Sequence, residues 1–398
     1  MNTTFRLAPS SSRSRSTAQR GMTLVELMVA LLLGLVTTYF IAQVFAVAEG
    51  QKRTATFGSD AQVNGAVALH TLRRHLLSAG YGVTGVVEGL GCPIKGQYGT
   101  AGSTTPAPAM NLAPIEITRS AVASAPSDQI AVLTSTKTSF AAVTRIAKPV
   151  TAVQANNFQV DSSVGAVEDD TILAIPMSWA ADNSGCVFFT VKPDNSDPST
   201  TMTTAQIPRA PSGSASSWNA AASSVWPPGG FKENDVLVNF GKVRRMVFGV
   251  DSDTFQVITW TPQGIGNAEQ LNSGVVLLKA LYGRDNDNDG VVDTYDTTTP
   301  VTNADWQKVM SVRIAMVARS GQREKDEVTT AEPTWNVGAN VAVSYVPVPG
   351  GPATLCAAGA GACQVPLPVS QLVEWKHYRY KVFDTAVPLR NMLWNLGS

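Results

Sequence analysis

Between Leu27 and Ala48 lie 22 residues with neither a charge nor a proline. A helix of that length spans roughly 33 Å, enough to cross the hydrocarbon core of a bilayer. The stretch before it, residues 1–21, contains Arg6, Arg13, Arg15 and Arg20 and no acid, and reads as a polar, basic leader. Basic residues on that flank keep the N-terminus cytoplasmic and send everything after residue 50 to the other side. Two details set the segment apart from an ordinary signal peptide. The small residue suited to cleavage, Gly21, precedes the apolar run, and no A-x-A-like site follows it, because Ala46-Val47-Ala48 leads directly into Glu49. Glu26 is an acid set inside the apolar helix, a position that costs several kcal/mol unless paired and therefore marks function.

The residues Arg20-Gly21-Met22-Thr23-Leu24-Val25-Glu26-Leu27 resemble the class III leader of type IV prepilins and pseudopilins. The resemblance implies that a prepilin peptidase cuts between Gly21 and Met22, leaves the apolar helix on the mature protein and makes Glu26 its fifth residue. The new α-amino group of Met22 would be a cation at a helix N-terminus. A carboxylate on one subunit can pair with the amine of its neighbour when such helices stack in an apolar filament core. Met22 stands where phenylalanine is more usual, with N-methylation expected there, and no proline kinks the helix near Gln43. The bland alternative is a plain single-pass anchor with an incidental Gly and Glu.

Residues 49–79 also lack proline and keep a helical spacing, with Phe57, Ala61, Ala68, Leu72 and Leu76 near one stripe. Gly50, Gly58 and Gly65 weaken such a helix by about 1 kcal/mol each, and Gly80 supplies a C-cap. The expected helix therefore runs from 22 to 79, with 22–48 as transmembrane segment and filament core, and would be roughly 87 Å long. Beyond residue 80 the pattern changes to short strands between turn signals: 129–134, 157–160, 171–176, 186–192, 235–239, 244–250, 255–261, 274–282, 309–319, 341–347 and 376–383. The clearest is Val309–Arg319, read as half-buried, with Arg313 and Arg319 on one face and Met310, Val312, Ile314 and Met316 on the other. Residues 97–127, 193–230 and 348–367 read as long loops. The fold class is α+β, a pilin-like fold in which one long N-terminal helix packs on an antiparallel β-rich head, residues 80–398.

Twelve residues, Asp285-Asn286-Asp287-Asn288-Asp289-Gly290-Val291-Val292-Asp293-Thr294-Tyr295-Asp296, form the second sharp motif. Acids at positions one, three and five, glycine at six and an acid at twelve fit an oxygen-rich calcium loop. Asp285, Asp287, Asp289, Asp293 and Asp296 would supply carboxylates and Val291 its carbonyl, with Asp293 direct or through water. Asp296 is shorter than the usual glutamate, and flanking strands replace the helices of an EF-hand. A solvated Asx turn is the alternative, although five acids in twelve positions repel one another without a cation. The order of long helix, irregular β region, Asp-rich loop, strand Val309–Arg319 and closing stretch Arg379–Asn391 resembles the PilW-like minor pilins.

Four cysteines suit two disulfides in an oxidising compartment. Cys356 and Cys363 enclose a short Ala/Gly loop and favour a local bridge, leaving Cys92 with Cys186, although the sequence permits three pairings. His70, His75 and His377 are not at ligand spacing, and no hydrolase, P-loop or zinc motif is present. With 30 basic and 30 acidic residues, nothing points to nucleic acid, and no small-molecule substrate is expected. The expected function is non-enzymatic: a minor pilin that primes or caps type IV pilus assembly. Its partners would be the inner membrane, prepilin peptidase and other major and minor pilins, and its place the inner membrane and then the surface pilus. A type II secretion pseudopilin or an anchored calcium-dependent adhesin are the alternatives.

Overall fold

The computed structural model describes residues 21–393 except 83, 101–102, 121–125, 138–142, 152–155, 194–199, 211–215, 219–224, 262–263, 340 and 349. The leader expected over 1–21 thus lies almost wholly outside the described residues, as does the side chain of Phe57. The chain divides into two compact units, one ending at Thr56 and one running from Phe57 to Ser398. That division falls inside the helix Leu24–Leu77, not at its end. The second half of the helix is part of the head by virtue of its packing.

In the head, Ala68, Leu72, Leu76 and Ala79 have no accessible surface and form one stripe at the spacing of a helix face. They share a core with two sheets. One is fully antiparallel, in the order Gly264–Ser273, Thr254–Thr261, Val243–Asp251, Gln129–Ser135, Ile115–Thr118. It contributes Ile117, Ile130, Val132, Phe248 and Phe255. The other has six strands, in the order Thr354–Cys356, Ala342–Tyr345, Thr294–Asp296, Val275–Arg284, Val309–Arg319, Tyr380–Pro388. It contributes Leu278, Tyr282, Val312, Ile314 and Met316. Every pairing in it is antiparallel except Thr294–Asp296 with Ala342–Tyr345. The fold is α+β, as the alternation of helical and strand periods requires.

The helix ends with tightened turns: the amides of Ser78 and Ala79 bond to the carbonyls of His75 and Leu76. Gly80 follows in the left-handed region (φ +77°), but its amide goes to the carbonyl of Leu133 in the antiparallel sheet, 3.0 Å away. Gly80 is therefore a hinge that docks the helix end on the sheet, not a closed cap of the helix alone. Asn391 ties the same end to the C-terminus by donating to the carbonyl of Ala79 at 2.8 Å.

Val309–Arg319 has the predicted bounds but not the predicted burial, since all of it is buried except Arg313 and Arg319, which are half-buried. Its second face is covered by the two-stranded sheet Thr334–Gly338 with Cys363–Pro366, which brings Trp335 and Val365 onto Ala315 and Val317. The segments read as loops hold short strands as well, including Gln97–Thr100 and Ser103–Pro106.

Residues 94–241 build a further five-stranded sheet, in the order Ile94–Lys95, Cys186–Thr190, Thr171–Ile175, Val236–Gly241, Val143–Arg145. Its three interior strands Cys186–Thr190, Thr171–Ile175 and Val236–Gly241 are buried throughout. Both faces carry a core: Phe188, Trp218 and Phe240 on one, Phe158, Phe189 and Phe231 on the other. Cys92 bridges to Cys186 and Cys356 to Cys363, each with Cα atoms 5.9 Å apart. The first closes a 94-residue separation and pins the start of this sheet, a constraint that acts mainly by restricting the unfolded chain.

Candidate assembly helix and acidic loop

The N-terminal helix opens at Leu24, and Thr23 stands before it as the N-cap, its hydroxyl accepting the amide of Glu26 at 3.3 Å. Thr23-Leu24-Val25-Glu26 is the spacing of a capping box, with this one of its two hydrogen bonds formed. Thr23 was not among the expected functional residues, although the Thr-x-x-Glu pattern ahead of an apolar run signals such a cap. Glu26 also lies in the first helical turn, where the helix dipole favours an acid. Gly21, Met22 and Glu26, the residues expected to mark the cleavage point and to act in assembly, are all exposed.

The helical segment Leu24–Lys52 is long and apolar enough to cross a membrane. Three of its polar side chains are satisfied along the helix itself. Thr37 donates to the carbonyl of Leu33 at 2.8 Å, Thr38 to that of Gly34 at 2.7 Å, and Gln43 Nε2 to the hydroxyl of Tyr39 at 2.8 Å. Such closure is what a lipid or filament interior demands, because no water is there to accept the bonds. Leu24, Leu31, Leu35, Phe40 and Phe45 are each at least 60 % exposed and point in several directions. The apolar surface thus surrounds the helix and does not form a single stripe, which suits immersion among lipid tails or neighbouring helices.

The Asp-rich segment hangs between Val275–Arg284 and Thr294–Asp296 of the six-stranded sheet. Asp285 is its buried foot. Its Oδ1 accepts the amides of Asn288 (2.6 Å) and Asp289 (3.2 Å), and its Oδ2 that of Gly290 (2.8 Å). Gly290 takes φ +86°, the left-handed turn that lets the chain fold back over Asp285. Asp293 accepts the amide of Asn286 at 2.6 Å, and Asp289 accepts that of Val291 at 2.7 Å. Asp285, Asp287 and Asp289 each bring a carboxylate oxygen within 4.8 Å of the others. The exposed Asp287 carboxyl is pushed above the ordinary carboxylate range by desolvation and by the charges of Asp289, Asp293 and Asp285. Asp296 is turned elsewhere: Arg284 holds it through Nε at 2.7 Å and Nη2 at 3.4 Å. The geometry thus gathers the first three predicted ligands and commits the twelfth to an ion pair.

Residues 16–38 match the family model of the prokaryotic N-terminal methylation motif, and residues 247–391 match that of type IV pilus-assembly protein W. The first spans Gly21, Met22 and Glu26; the second spans the whole of the six-stranded sheet and the acidic loop. No curated protein matches the chain. A solved type IV-like pilin from Thermus thermophilus is similar at 10 % identity over 82 % of this chain and 95 % of its own, with a TM-score of 0.29. The chain thus carries the methylation motif on its apolar helix and a type IV pilus-assembly protein W domain over residues 247–391 of its head, and in both it resembles a PilW-like type IV pilin.

Proposed function

We propose that the chain is a minor pilin: cleaved after Gly21 by prepilin peptidase, methylated at Met22 and built into a type IV pilus through its N-terminal helix, where it primes or caps assembly. The carrying observation is Glu26 in the first turn of an apolar helix exposed on every side and matched by the methylation motif. An isolated acid in such a helix is favourable in an apolar medium only with a cationic partner, and the amine of a neighbouring pilin is the partner that processing creates. The basic leader supports an N-terminus in the cytoplasm and a head in the periplasm before assembly. After assembly the head would be displayed on the pilus. Its chemistry is packing and pairing, not catalysis, with prepilin peptidase and other pilins as partners.

In the acidic loop, the convergence of Asp285, Asp287 and Asp289 supports a bound calcium ion, with the Val291 carbonyl and Asp293 completing the oxygen set. Arg284 competes for Asp296, so binding there would use fewer carboxylates than the full motif.

Glu26→Ala tests the assembly reading. The expected result is loss of surface pili while the protein still accumulates in the inner membrane at its normal level. Normal piliation with the variant incorporated into filaments would refute the pairing.

A further inference from the structure

The sheet built by residues 94–241 lies largely outside the matched family region, and where it meets the strands Val243–Asp251 and Thr254–Thr261 the head opens a cleft of about 610 Å³. That volume is in the range of ligand-binding clefts, and seams between packed layers are where such clefts form. Lys192, Lys242 and Arg244 line it, and none of the three is in an ion pair among the described residues. Among the described residues, Asp169 is the sole acid on the lining. The neighbouring Asp170 carries no free charge, being held by Lys137 at 2.5 Å and Asn239 at 2.8 Å. Six serine and threonine residues complete the polar walls. Two lining residues, Asp169 (φ 65°) and Ser216 (φ 55°), hold left-handed backbone although neither is glycine. Such conformations persist where surrounding structure fixes them and cluster at ligand sites.

We propose that this cleft binds an acidic oligosaccharide, its carboxylates held by Lys192, Lys242 and Arg244 and its hydroxyls by the Ser/Thr walls and Asp169. Charge-assisted hydrogen bonds from lysine and arginine suit uronate groups, and neutral hydroxyl donors and acceptors suit sugar rings. A nucleic acid fits less well. Tyr98 and Trp260 reach the cleft but are only 7 % and 5 % exposed, so neither offers an open ring face for base stacking. The chain carries no excess of basic residues to follow a phosphate backbone. The floor is prearranged: Trp218 packs against both Tyr98 and Trp260, with ring centroids 5.3 and 5.9 Å away, and its amide is fixed by the hydroxyl of Thr190. A floor fixed in this way loses little freedom when a ligand binds. The site does not depend on the assembly reading.

The test is equilibrium binding of the full mature chain in detergent to an oligogalacturonate, a neutral galacto-oligosaccharide of equal length and a short DNA duplex. The proposal expects the acidic sugar to bind at least tenfold more tightly than the neutral one, and more weakly as salt is added. It expects the combined Lys192→Ala, Lys242→Ala, Arg244→Ala variant to lose tenfold or more. Lys242→Ala alone, at an exposed side chain, should lose about threefold and serves if the combined variant does not fold. Equal binding of acidic and neutral sugars, no binding of either, or undiminished binding by a folded variant would overturn it. Tighter binding of the duplex through the same three cations would assign the cleft to nucleic acid instead.

Discussion

Asp128 has no accessible surface, and three donors converge on its carboxylate: Arg119 at 3.0 Å, Lys279 at 3.2 Å and the amide of Ala280 at 3.1 Å. Arg119 also reaches the carbonyls of Ala280 and Thr297, so a single cluster stitches the antiparallel sheet to the six-stranded one. Burial pushes the Lys279 amine below its usual range, and Asp128 pulls it back. Removing one member of a buried pair strands the other, at a cost of roughly 3–5 kcal/mol. Asp128→Ala is therefore expected to lower head stability by about that amount in chemical denaturation, against near-neutral effects for exposed acids. The sign of its pH dependence follows from Lys279. With Asp128 gone, the folded amine titrates well below the unfolded value of about 10.4, so the unfolded state binds more protons across that window. The stability gap to the wild type should then narrow as pH rises toward 10. A pH-independent gap would place the cost in packing and not in the stranded charge.

At the scale of elements, the helix shows why local propensity and fold can disagree. Sequence marked Gly58 and Gly65 as equal weak points. In the structure a Cβ on Gly65 would run into the ring of Phe383 and lie 3.0 Å from the Cβ of Ala318, while one on Gly58 meets nothing within 4 Å. Gly65 is the gap that lets the helix lie close against the C-terminal strand. Gly58→Ala should be neutral or stabilising by up to ~1 kcal/mol, and Gly65→Ala destabilising by about 1–3 kcal/mol from overpacking. Equal thermal shifts for the two variants would contradict this. The acidic loop gives the second prediction at this scale. Calcium at one hundred times its Kd should stabilise the head by about 2.7 kcal/mol, seen as a higher Tm than in chelator. Asp287→Asn should abolish most of that shift. Asp287 is the informative position because Asp285 also anchors the loop amides, and its loss would disturb the fold without calcium. An identical Tm with calcium and chelator would reject the site.

For the whole molecule, what could be read in advance was what period and charge encode. The apolar N-terminal helix, its buried stripe at Ala61, Ala68, Leu72 and Leu76, and strands such as 129–134 and 309–319 carry strong local patterns. Gly264–Ser273 was missed because it is polar, largely exposed and an edge strand, whose order comes from its partner Thr254–Thr261. The second buried face of Val309–Arg319 was equally hidden, since the residues that cover it, Trp335 and Val365, belong to a short pair formed across the chain. The commitment of Asp296 to Arg284 also escaped, because a motif gives spacing and not the competing partner. Within the N-terminal motif, Gly21, Met22 and Glu26 could be named as expectations because all three lie within six residues of the chain, inside the stretch that matches the methylation motif.

For the helix to enter a filament as proposed, the chain must be cut between Gly21 and Met22. Mass spectrometry of the N-terminus, in cells with and without prepilin peptidase, tests it most directly. A mature chain beginning at methylated Met22 is expected when the peptidase is present, and an intact leader when it is absent. Cleavage beyond residue 48, or a leader retained in both strains, would contradict it.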